Sequence, residues 1–306
     1  MGKIAFVFSG QGDQYPGMGK DIKEKYTVAA EIYNMCDRLR PGTSDMCFNG
    51  TEEELKETKN TQPCLFATEL AAASVLKEKG IVPSAAAGFS LGEVAAATFV
   101  GIFDNETGFS LVCKRGELMQ REAEKFDTSM AAVVKLTPEK VEEICGKYQN
   151  IYPVNFNCPG QITVSGLSSE MPAFASEVTA AGGRAIPLKV KGAFHSPFMK
   201  EASEAFEKEI EKAEKENKIK NGNITLYSNM TATPYGSDVK TLLSKQICSP
   251  VQWEKIIRNM ISDGIDTFIE IGPGKTLTNM TKKIDNEVKA FTTVEYLAEV
   301  EQCQTY

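Results

Sequence analysis

Ser90 stands in a five-residue motif that can make a serine hydroxyl reactive. The motif, Gly88-Phe89-Ser90-Leu91-Gly92, has the pattern G-x-S-x-G and lies between a predicted strand at 84–88 and a predicted helix from Leu91. A turn of this kind exposes the hydroxyl and directs the backbone N–H of Leu91 towards a developing oxyanion. The alternative is a tight turn whose glycines only ease packing, but the strand before it and the helix after it favour a nucleophile.

His195 is the only histidine of the chain and therefore the only imidazole that could serve Ser90 as a base. A lone histidine is more often structural, so this assignment depends on its surroundings. A helix is predicted directly after it, with Ser196 as N-cap and Pro197 at the first position. The N-terminus of a helix disfavours imidazolium, so we expect a neutral ring. Too many Asp and Glu residues are present for a third, acidic member to be chosen.

Composition limits what kind of protein this is. The chain has 306 residues, 42% of them hydrophobic and 25% charged, which is typical of a globular protein with a sizeable core and two structural units. It carries 34 basic and 41 acidic residues, a net charge of −7, with no basic stripe for nucleic acid. No apolar stretch is long enough to span a membrane, and the apolar run at 4–8 is too short for a signal peptide. We therefore expect a cytoplasmic location, with neither membrane nor nucleic acid as a partner.

The cysteines indicate neither disulfides nor a metal site. They are far apart and form no C-x-x-C pair, so we expect reduced thiols, and with a single histidine we expect no zinc. The residues in question are Cys36, Cys47, Cys64, Cys113, Cys145, Cys158, Cys248 and Cys303.

Hydrophobic patterning predicts an α/β fold in two parts. A buried strand at 3–8 leads through a glycine-rich loop to a helix, and Thr61 is expected to cap a long helix that has Pro63 in its first turn and runs to Lys79. The segment at 126–192 has the order βαββαβ, which is that of a ferredoxin-like unit. We therefore predict a small ferredoxin-like subdomain at 126–192, inserted into a larger α/β domain formed by 1–125 and 193–306.

Two glycine-rich segments do not indicate nucleotide binding. The segment at 272–276, Gly-Pro-Gly-Lys-Thr, resembles the end of a P-loop, but Ile269 stands where the first glycine belongs. The loop at 10–14 lacks the G-x-G-x-x-G spacing because residue 15 is Tyr. We expect no cofactor.

A series of motifs follows in order along nearly the whole chain. They are G-Q-G-x-Q at 10–14, G-x-S-L-G-E at 88–93, Arg115 with Met119-Gln120, N-x-P-G-Q at 157–161, G-A-F-H-S at 192–196, Ser228-Asn229, Gln246 with P-V-Q-W at 250–253, and E-x-G-P-G at 270–274. In this order they resemble the malonyl-CoA:acyl-carrier-protein transacylases and the related acyltransferase domains of polyketide synthases. That family pairs an α/β-hydrolase-like core with an inserted ferredoxin-like subdomain, which agrees with the boundaries above.

The resemblance implies a role for several positions. Ser90 would be the acylated nucleophile and His195 its base, oriented by the backbone carbonyl of Gln246, while the N–H groups of Gln11 and Leu91 would form the oxyanion hole. The remaining positions would bind substrate: Arg115, which would hold the malonyl carboxylate, Phe194, which would crowd an α-methyl branch, and Met119, Asn157 and Gln161. Phe89 departs from the family, which usually has histidine before the nucleophile, so any contribution of that histidine is missing or replaced.

The function that the resemblance implies is transfer of malonyl from malonyl-CoA to the phosphopantetheine thiol of an acyl carrier protein, with the enzyme expected to be a monomer. Because such carriers are acidic and this chain is acidic too, we expect a local basic patch formed by Lys189, Lys191 and Lys200, although these are equally compatible with ordinary solvated lysines. Two alternatives remain: a serine hydrolase such as a thioesterase, and a carrier-docking module whose catalytic site has decayed.

Overall fold

The protein is described by a computed structural model that covers residues 2–304, with side chains as far as residue 302, so that Cys303 lies outside the described side chains. The strands are β1 Lys3–Phe8, β2 Ala85–Gly88, β3 Thr128–Val134, β4 Ile151–Cys158, β5 Gln161–Leu167, β6 Arg184–Lys191, β7 Thr225–Tyr227, β8 Ile265–Ile271 and β9 Lys289–Thr292. The helices are α1 Lys20–Lys25, α2 Thr27–Leu39, α3 Thr43–Asn49, α4 Glu52–Lys56, α5 Thr58–Glu78, α6 Gly92–Phe99, α7 Asn105–Ala123, α8 Pro138–Cys145, α9 Met171–Ala180, α10 Lys200–Lys215, α11 Val239–Gln246, α12 Trp253–Ser262, α13 Thr276–Ile284 and α14 Thr293–Gln304.

A five-stranded parallel sheet forms the centre of the larger part. Its order is β7-β2-β1-β8-β9, and every neighbouring pair is parallel. Strands β1 and β2 are almost continuously apolar and buried, as expected for parallel strands covered on both faces. The chain leaves β1 towards β2 on one side and returns to β8 on the other. The carboxyl ends of these central strands are therefore where an α/β fold forms its crevice.

A separate four-stranded antiparallel sheet is built from β3 to β6 in the order β4-β5-β3-β6. Along the chain its elements follow as β3-α8-β4-β5-α9-β6, which is the order predicted for 126–192. One face packs apolar residues such as Val133 and Val164 against Val141 of α8 and Phe174 of α9. The other face carries polar residues, Asn157 among them, and is turned towards the loops of the parallel sheet.

Two backbone hydrogen bonds join the antiparallel sheet to the larger part. Phe156 N donates to Val251 O at 2.9 Å, and Val251 N donates to Val154 O at 2.8 Å. Val251 belongs to the segment at 250–253, whose next residue, Gln252, bonds through its N–H to Asn229 O at 2.8 Å. This segment therefore fixes β4 relative to the carboxyl end of β7.

Helix α5 differs from the prediction at its start. It begins at Thr58 rather than after Thr61, and Pro63 lies inside the helix instead of in its first turn. The Thr61 hydroxyl does not cap the helix but donates to the carbonyl of Leu55 at 2.5 Å. The backbone N–H of Thr58 is satisfied by Gln120 Oε1 of α7 at 2.8 Å, a contact 62 residues away that local patterning does not reveal.

The expectations about cysteines, metals and membranes can be compared with the described residues. Seven cysteines, from Cys36 to Cys248, are free thiols, which confirms the expectation of reduced thiols for them. Among the described side chains, residues 2–302, no group of His, Cys, Asp and Glu is arranged to hold a metal ion. No helix within the same residues is long and apolar enough to cross a bilayer.

Candidate active site

Ser90 lies in the sharp turn between β2 and α6, at the carboxyl end of a central strand. Its φ of 56° falls in the left-handed region, a strained conformation that is common at functional turns. The two glycines of the motif are required by close backbone approach: a Cβ on Gly88 would overlap Gly92, and a Cβ on Gly92 would overlap Phe8 and Ser9. The glycines thus allow the turn that exposes the serine, which is the arrangement expected of a nucleophile.

His195 faces Ser90 across the site from the loop after β6. Ser90 Oγ is 2.7 Å from His195 Nε2, and His195 Nδ1 is 2.9 Å from Gln246 O. A carbonyl oxygen can only accept, so Nδ1 carries the proton and Nε2 is left to accept the serine hydroxyl. Gln246 is the last residue of α11. The third member of the arrangement is therefore a backbone carbonyl, which explains why no acid could be chosen by sequence.

Burial keeps the imidazole neutral. His195 is 3% exposed, and burial, followed by the charge of Arg115, lowers its pKa to about 4. The sequence argument cited the N-terminus of the following helix, and Ser196 is the N-cap of the element that follows, with Pro197 at its start. The chain after His195 first forms a single 3₁₀ turn at Pro197–Met199, capped by the Ser196 hydroxyl, and α10 begins only at Lys200.

Arg115 of α7 lies beside the pair and is fully buried rather than extending to solvent. Its Nη2 donates to Ser90 Oγ at 3.2 Å and to Gln246 Oε1 at 2.7 Å, and its Nη1 donates to Gln62 Oε1 at 2.8 Å. Its Nε–H has no acceptor among the described residues. Burial lowers the pKa of Arg115 to about 10, and Glu93 opposes that shift. The guanidinium is therefore a fixed, charged donor next to the serine hydroxyl, with capacity for a further acceptor.

Three polar residues of this site had no assigned role in the sequence analysis. Gln62 of α5 holds Arg115, and nothing in its local sequence marks it. Asn229 accepts from the Ser90 N–H at 2.8 Å and donates to Gly88 O at 2.5 Å. Glu93, fully buried, accepts from Gln246 Nε2 at 2.6 Å. A lone charged side chain in the otherwise apolar first turns of α6 was a signal that could have identified Glu93.

Two backbone N–H groups are positioned at the turn without partners. The N–H of Leu91, at the start of α6, and that of Gln11, after β1, donate to no other group within residues 2–304. Gln11 is held from α5, since its side chain donates to Thr58 Oγ1 at 3.4 Å. Unused N–H groups beside a serine hydroxyl can stabilise an oxyanion.

A cavity of about 210 Å³ adjoins this turn, between the loop after β1 and the polar face of the antiparallel sheet. Gln11, Phe89, Asn157 and Gln161 are among its lining residues. The Asn157 amide donates to Thr163 Oγ1 at 3.2 Å, while its Oδ1 is buried without a donor among the described residues. Amide groups with unused capacity can hydrogen-bond a polar, uncharged chain that enters the cavity.

Phe89 forms an apolar wall of the same cavity. Its ring packs edge-on against Trp253, with 5.4 Å between ring centroids. It also contacts the backbone at Gly10, where a Cβ would come within 2.8 Å of its ring. The departure at residue 89 therefore places a packed aromatic ring where the family usually has a histidine.

Met119 and Phe194 lie near the reacting groups but do not line that cavity. Met119 is one turn after Arg115 on α7, 2% exposed, and its Sδ is 3.4 Å from Gln62 Nε2. Phe194 directly precedes His195, is 6% exposed, and its carbonyl accepts from Ser165 Oγ at 3.3 Å. A larger groove of about 590 Å³ between α2, α7 and α10 is lined by none of the candidate active-site residues described in this section.

Comparison with known proteins identifies the family to which this chain is similar. The model of the acyl transferase domain family matches residues 5–303. The malonyl CoA-acyl carrier protein transacylase of Bacillus subtilis (strain 168) is 37% identical over an alignment of 298 residues, and the match covers 94% of this chain and 92% of that protein. The crystal structure of malonyl CoA-acyl carrier protein transacylase from Clostridium perfringens has a TM-score of 0.93 at 34% identity and covers 99% of this chain and 98% of that one.

A further solved structure is a type II polyketide synthase acyl-carrier protein in complex with its malonyl-transacylase. That transacylase has a TM-score of 0.93 at 30% identity, with 98% of this chain and 99% of the other covered. The match of the family model spans almost the entire chain, and the relatives agree with it in sequence and in structure. The chain therefore belongs to the acyl transferase domain family.

Proposed function

We propose that the protein transfers a malonyl group from malonyl-CoA to the phosphopantetheine thiol of an acyl carrier protein, through an acyl-enzyme on Ser90. The observation that supports this most is the hydrogen-bonded series from Ser90 Oγ through His195 to the Gln246 carbonyl, with a buried arginine at hydrogen-bond distance from the same hydroxyl. The names of the relatives agree with this reaction.

Acylation begins at the serine hydroxyl. As Ser90 Oγ bonds to the thioester carbon of malonyl-CoA, its proton moves to His195 Nε2, and the N–H groups of Gln11 and Leu91 receive the oxyanion. When the oxyanion collapses, the carbon–sulfur bond breaks and the sulfur takes the proton from Nε2 as CoA leaves. A pKa of about 4 keeps His195 unprotonated before the reaction, and the Gln246 carbonyl stabilises the imidazolium formed during it.

Arg115 selects a dicarboxylic acyl group. A malonyl ester on Ser90 places its free carboxylate within a few bond lengths of Oγ, and the guanidinium already lies 3.2 Å from that atom. In a buried site a carboxylate needs a cation, and the forked geometry of arginine provides two parallel hydrogen bonds. Phe194 next to His195 would crowd an α-methyl branch, with a discrimination of about 1–3 kcal/mol per methyl.

The second half-reaction repeats these steps with a different thiol. The phosphopantetheine thiol gives its proton to His195 Nε2 and attacks the ester carbon, and Ser90 recovers the proton as it leaves. The cavity beside Phe89 is the proposed path of the pantetheine arm, whose amides would meet the side chains of Asn157 and Gln161. Met119 would support the acyl pocket indirectly, because its sulfur contacts Gln62, which in turn holds Arg115.

The carrier protein would dock on a basic patch formed by Lys189, Lys191 and Lys200, here called the docking patch. All three side chains are exposed, on β6 and at the start of α10, either side of the His195 loop. Lys200 is only loosely paired, with 3.8 Å to Glu204. A local cluster of positive charge would counter the repulsion between two acidic proteins.

We propose further that the larger part, 1–125 with 193–306, is α/β-hydrolase-like, and that 126–192 is a ferredoxin-like subdomain. The parallel sheet with its sharp serine turn and the βαββαβ order support these descriptions. We also propose a monomer in the cytoplasm, with neither nucleic acid nor membrane as a partner and no cofactor, since the chemistry above needs only side chains and backbone.

A covalent-labelling experiment tests the proposal. We expect mass spectrometry after brief exposure to malonyl-CoA to show one malonyl adduct on the wild type and none on Ser90→Ala. Ser110→Ala, which removes an exposed helical serine of α7, is the matched control and should still be labelled. An adduct of unchanged stoichiometry on Ser90→Ala would refute the nucleophile, and no adduct on the wild type would refute the acyl transfer itself.

A further inference from the structure

Glu93 is a fully buried carboxylate, three residues after Ser90. All of its hydrogen-bond donors are neutral groups. Oε1 accepts from Asn229 N at 2.9 Å and from the Tyr235 hydroxyl at 2.8 Å, and Oε2 accepts from Gln246 Nε2 at 2.6 Å. Among the described residues no cation touches it directly. Neither the acylation nor the transfer steps described above use this group, although burying a carboxylate without a directly paired cation carries a large desolvation cost.

One set of contacts connects Glu93 to the base and to the arginine. Because Gln246 Nε2 donates to Glu93, the amide must present its Oε1 to Arg115, where it accepts from Nη2 at 2.7 Å. The same Nε2 lies 2.6 Å from Ser90 O, and the backbone carbonyl of the same residue accepts from His195 Nδ1. Glu93 thus fixes the orientation of Gln246, and Gln246 holds both the guanidinium and the imidazole.

A second set of contacts connects Glu93 to the nucleophile. It holds the backbone of Asn229, whose side chain accepts from Ser90 N and donates to Gly88 O. These bonds secure the backbone that leads into a serine that has a positive φ.

Charge balance gives Glu93 a second role. The titratable groups joined to it are Tyr235 directly, and Arg115 and His195 through Gln246. His195 is neutral, so the buried site holds one cation and, when Glu93 is ionised, one anion. A malonyl carboxylate at Arg115 would add a second anion against the same cation, which in a buried site favours a proton on one of the two carboxylates.

The site can accept that proton without losing its hydrogen bonds. The hydroxyl of Tyr235 either donates to Oε1 or accepts from a protonated carboxyl, and Tyr235 is the only partly exposed member among the three donors. Burial raises the pKa of Glu93 to about 7, with Arg115 acting in the opposite direction, so a modest change in charge nearby alters its protonation near neutral pH.

We propose that Glu93 is a positioning residue that fixes Gln246 and Asn229 around the reacting side chains, and that it takes up a proton from solvent when a malonyl carboxylate occupies Arg115. The proton is released again when malonyl leaves for the carrier thiol. The inference rests on malonyl as the acyl group. Acylation itself exchanges a serine O–H for a thiol S–H and needs no net proton below the pKa of the CoA thiol, so any uptake reports on the protein.

The test counts protons as the acyl-enzyme forms. Wild-type protein is mixed with malonyl-CoA or with acetyl-CoA near pH 7 in weakly buffered indicator solution, and adduct is quantified in the same samples. We expect a substantial fraction of one proton taken up per malonyl adduct and none per acetyl adduct. This comparison needs no variant.

Variants assign the uptake to Glu93. Glu93→Gln should abolish the proton uptake. It should also slow acylation by both esters about tenfold or more, because the NH₂ group of the new glutamine would face the NH₂ group of Gln246, where the carboxylate now accepts a hydrogen bond. Glu69→Gln removes another fully buried carboxyl, which is bonded to Ser9 and not to the Gln246 network, and should leave the uptake unchanged.

A pH profile separates this role from a purely structural one. Since uptake favours malonyl at low pH, the ratio of kcat/KM for malonyl-CoA over acetyl-CoA should fall by up to about tenfold per pH unit above neutrality, and Glu93→Gln should flatten that slope. Adduct formed without uptake, equal uptake with acetyl-CoA, or uptake retained in Glu93→Gln would overturn the inference while leaving the proposed function intact. Absence of any malonyl adduct would refute the proposed function and this inference together.

Discussion

Replacing Arg115 should change which acyl group the protein prefers. In Arg115→Ala the malonyl carboxylate loses two charge-assisted hydrogen bonds, each worth about 1.5–3 kcal/mol. At about 1.4 kcal/mol per factor of ten, even the lower value predicts a loss of about a hundredfold or more in kcat/KM for malonyl-CoA.

Acetyl transfer should also fall, but less. The arginine holds Gln62 Oε1 and Gln246 Oε1, and its removal leaves both buried amide oxygens without a donor. Because Gln246 also orients His195, part of this cost appears in the reaction of any acyl group. The preference, expressed as the ratio of kcat/KM for malonyl-CoA over acetyl-CoA, should therefore fall by about a hundredfold, whatever the absolute activity. Arg115→Lys should restore only part of the ratio, since a lysine offers a charge without the planar fork.

Steady-state kinetics with both CoA esters on the same protein samples measures that ratio. Arg121→Ala, an exposed arginine on the same helix, is the matched control and should leave the ratio unchanged. Equal losses for malonyl and acetyl in Arg115→Ala, with the ratio preserved, would show that the arginine supports the fold or CoA binding and does not recognise the carboxylate.

Further predictions concern the base, the nucleophile and the carrier. His195→Ala should slow adduct formation by several orders of magnitude while malonyl-CoA still binds, as single-turnover labelling and equilibrium binding would measure; loss of binding instead would argue for a structural role. The rate of acylation by acetyl-CoA should decrease as pH falls through about 4, where the buried imidazole becomes protonated, and a midpoint near 6.5 in a rapid-mixing pH profile would contradict the burial argument. Reversing the charges of the docking patch should raise KM for the carrier protein in a salt-dependent manner and should not change the rate of acylation by malonyl-CoA. Lys140→Glu, on α8, is the control. Equal effects on both half-reactions would count against the patch.

The order of elements was readable from the sequence because each element has a strong local pattern. The βαββαβ order predicted for 126–192 is the order found, and its first helix, α8, has the local start signal of Thr137 as N-cap followed by Pro138. The start of α5 was misplaced because a distant side chain, Gln120, satisfies its first N–H. Local sequence signals predict that a helix or strand exists and which of the two it is, whereas tertiary contacts decide the residues at which it begins and ends.

The site was readable only where residue types are rare. A single histidine and a single G-x-S-x-G turn directed attention to Ser90 and His195, which lie 2.7 Å apart. Gln62 could not be singled out, and Asn229, although part of the Ser228-Asn229 motif, could not be given a role, because the partners of an amide side chain are set by the fold. The E-x-G-P-G segment has a structural role that became visible only in the fold: Glu270 accepts from two N–H groups in the first turn of α13 at 2.8–3.0 Å.

The most direct test of acyl transfer follows the fate of the acyl group. Wild-type protein carrying radiolabelled malonyl on Ser90 is separated from CoA and divided among buffer, apo carrier protein without phosphopantetheine, and holo carrier protein. We predict that label moves rapidly to the holo carrier and stays on the enzyme in the other two samples, since the site is built for a thiol acceptor. Release of free malonate at the same rate in all three samples would contradict the account and identify the protein as a hydrolase.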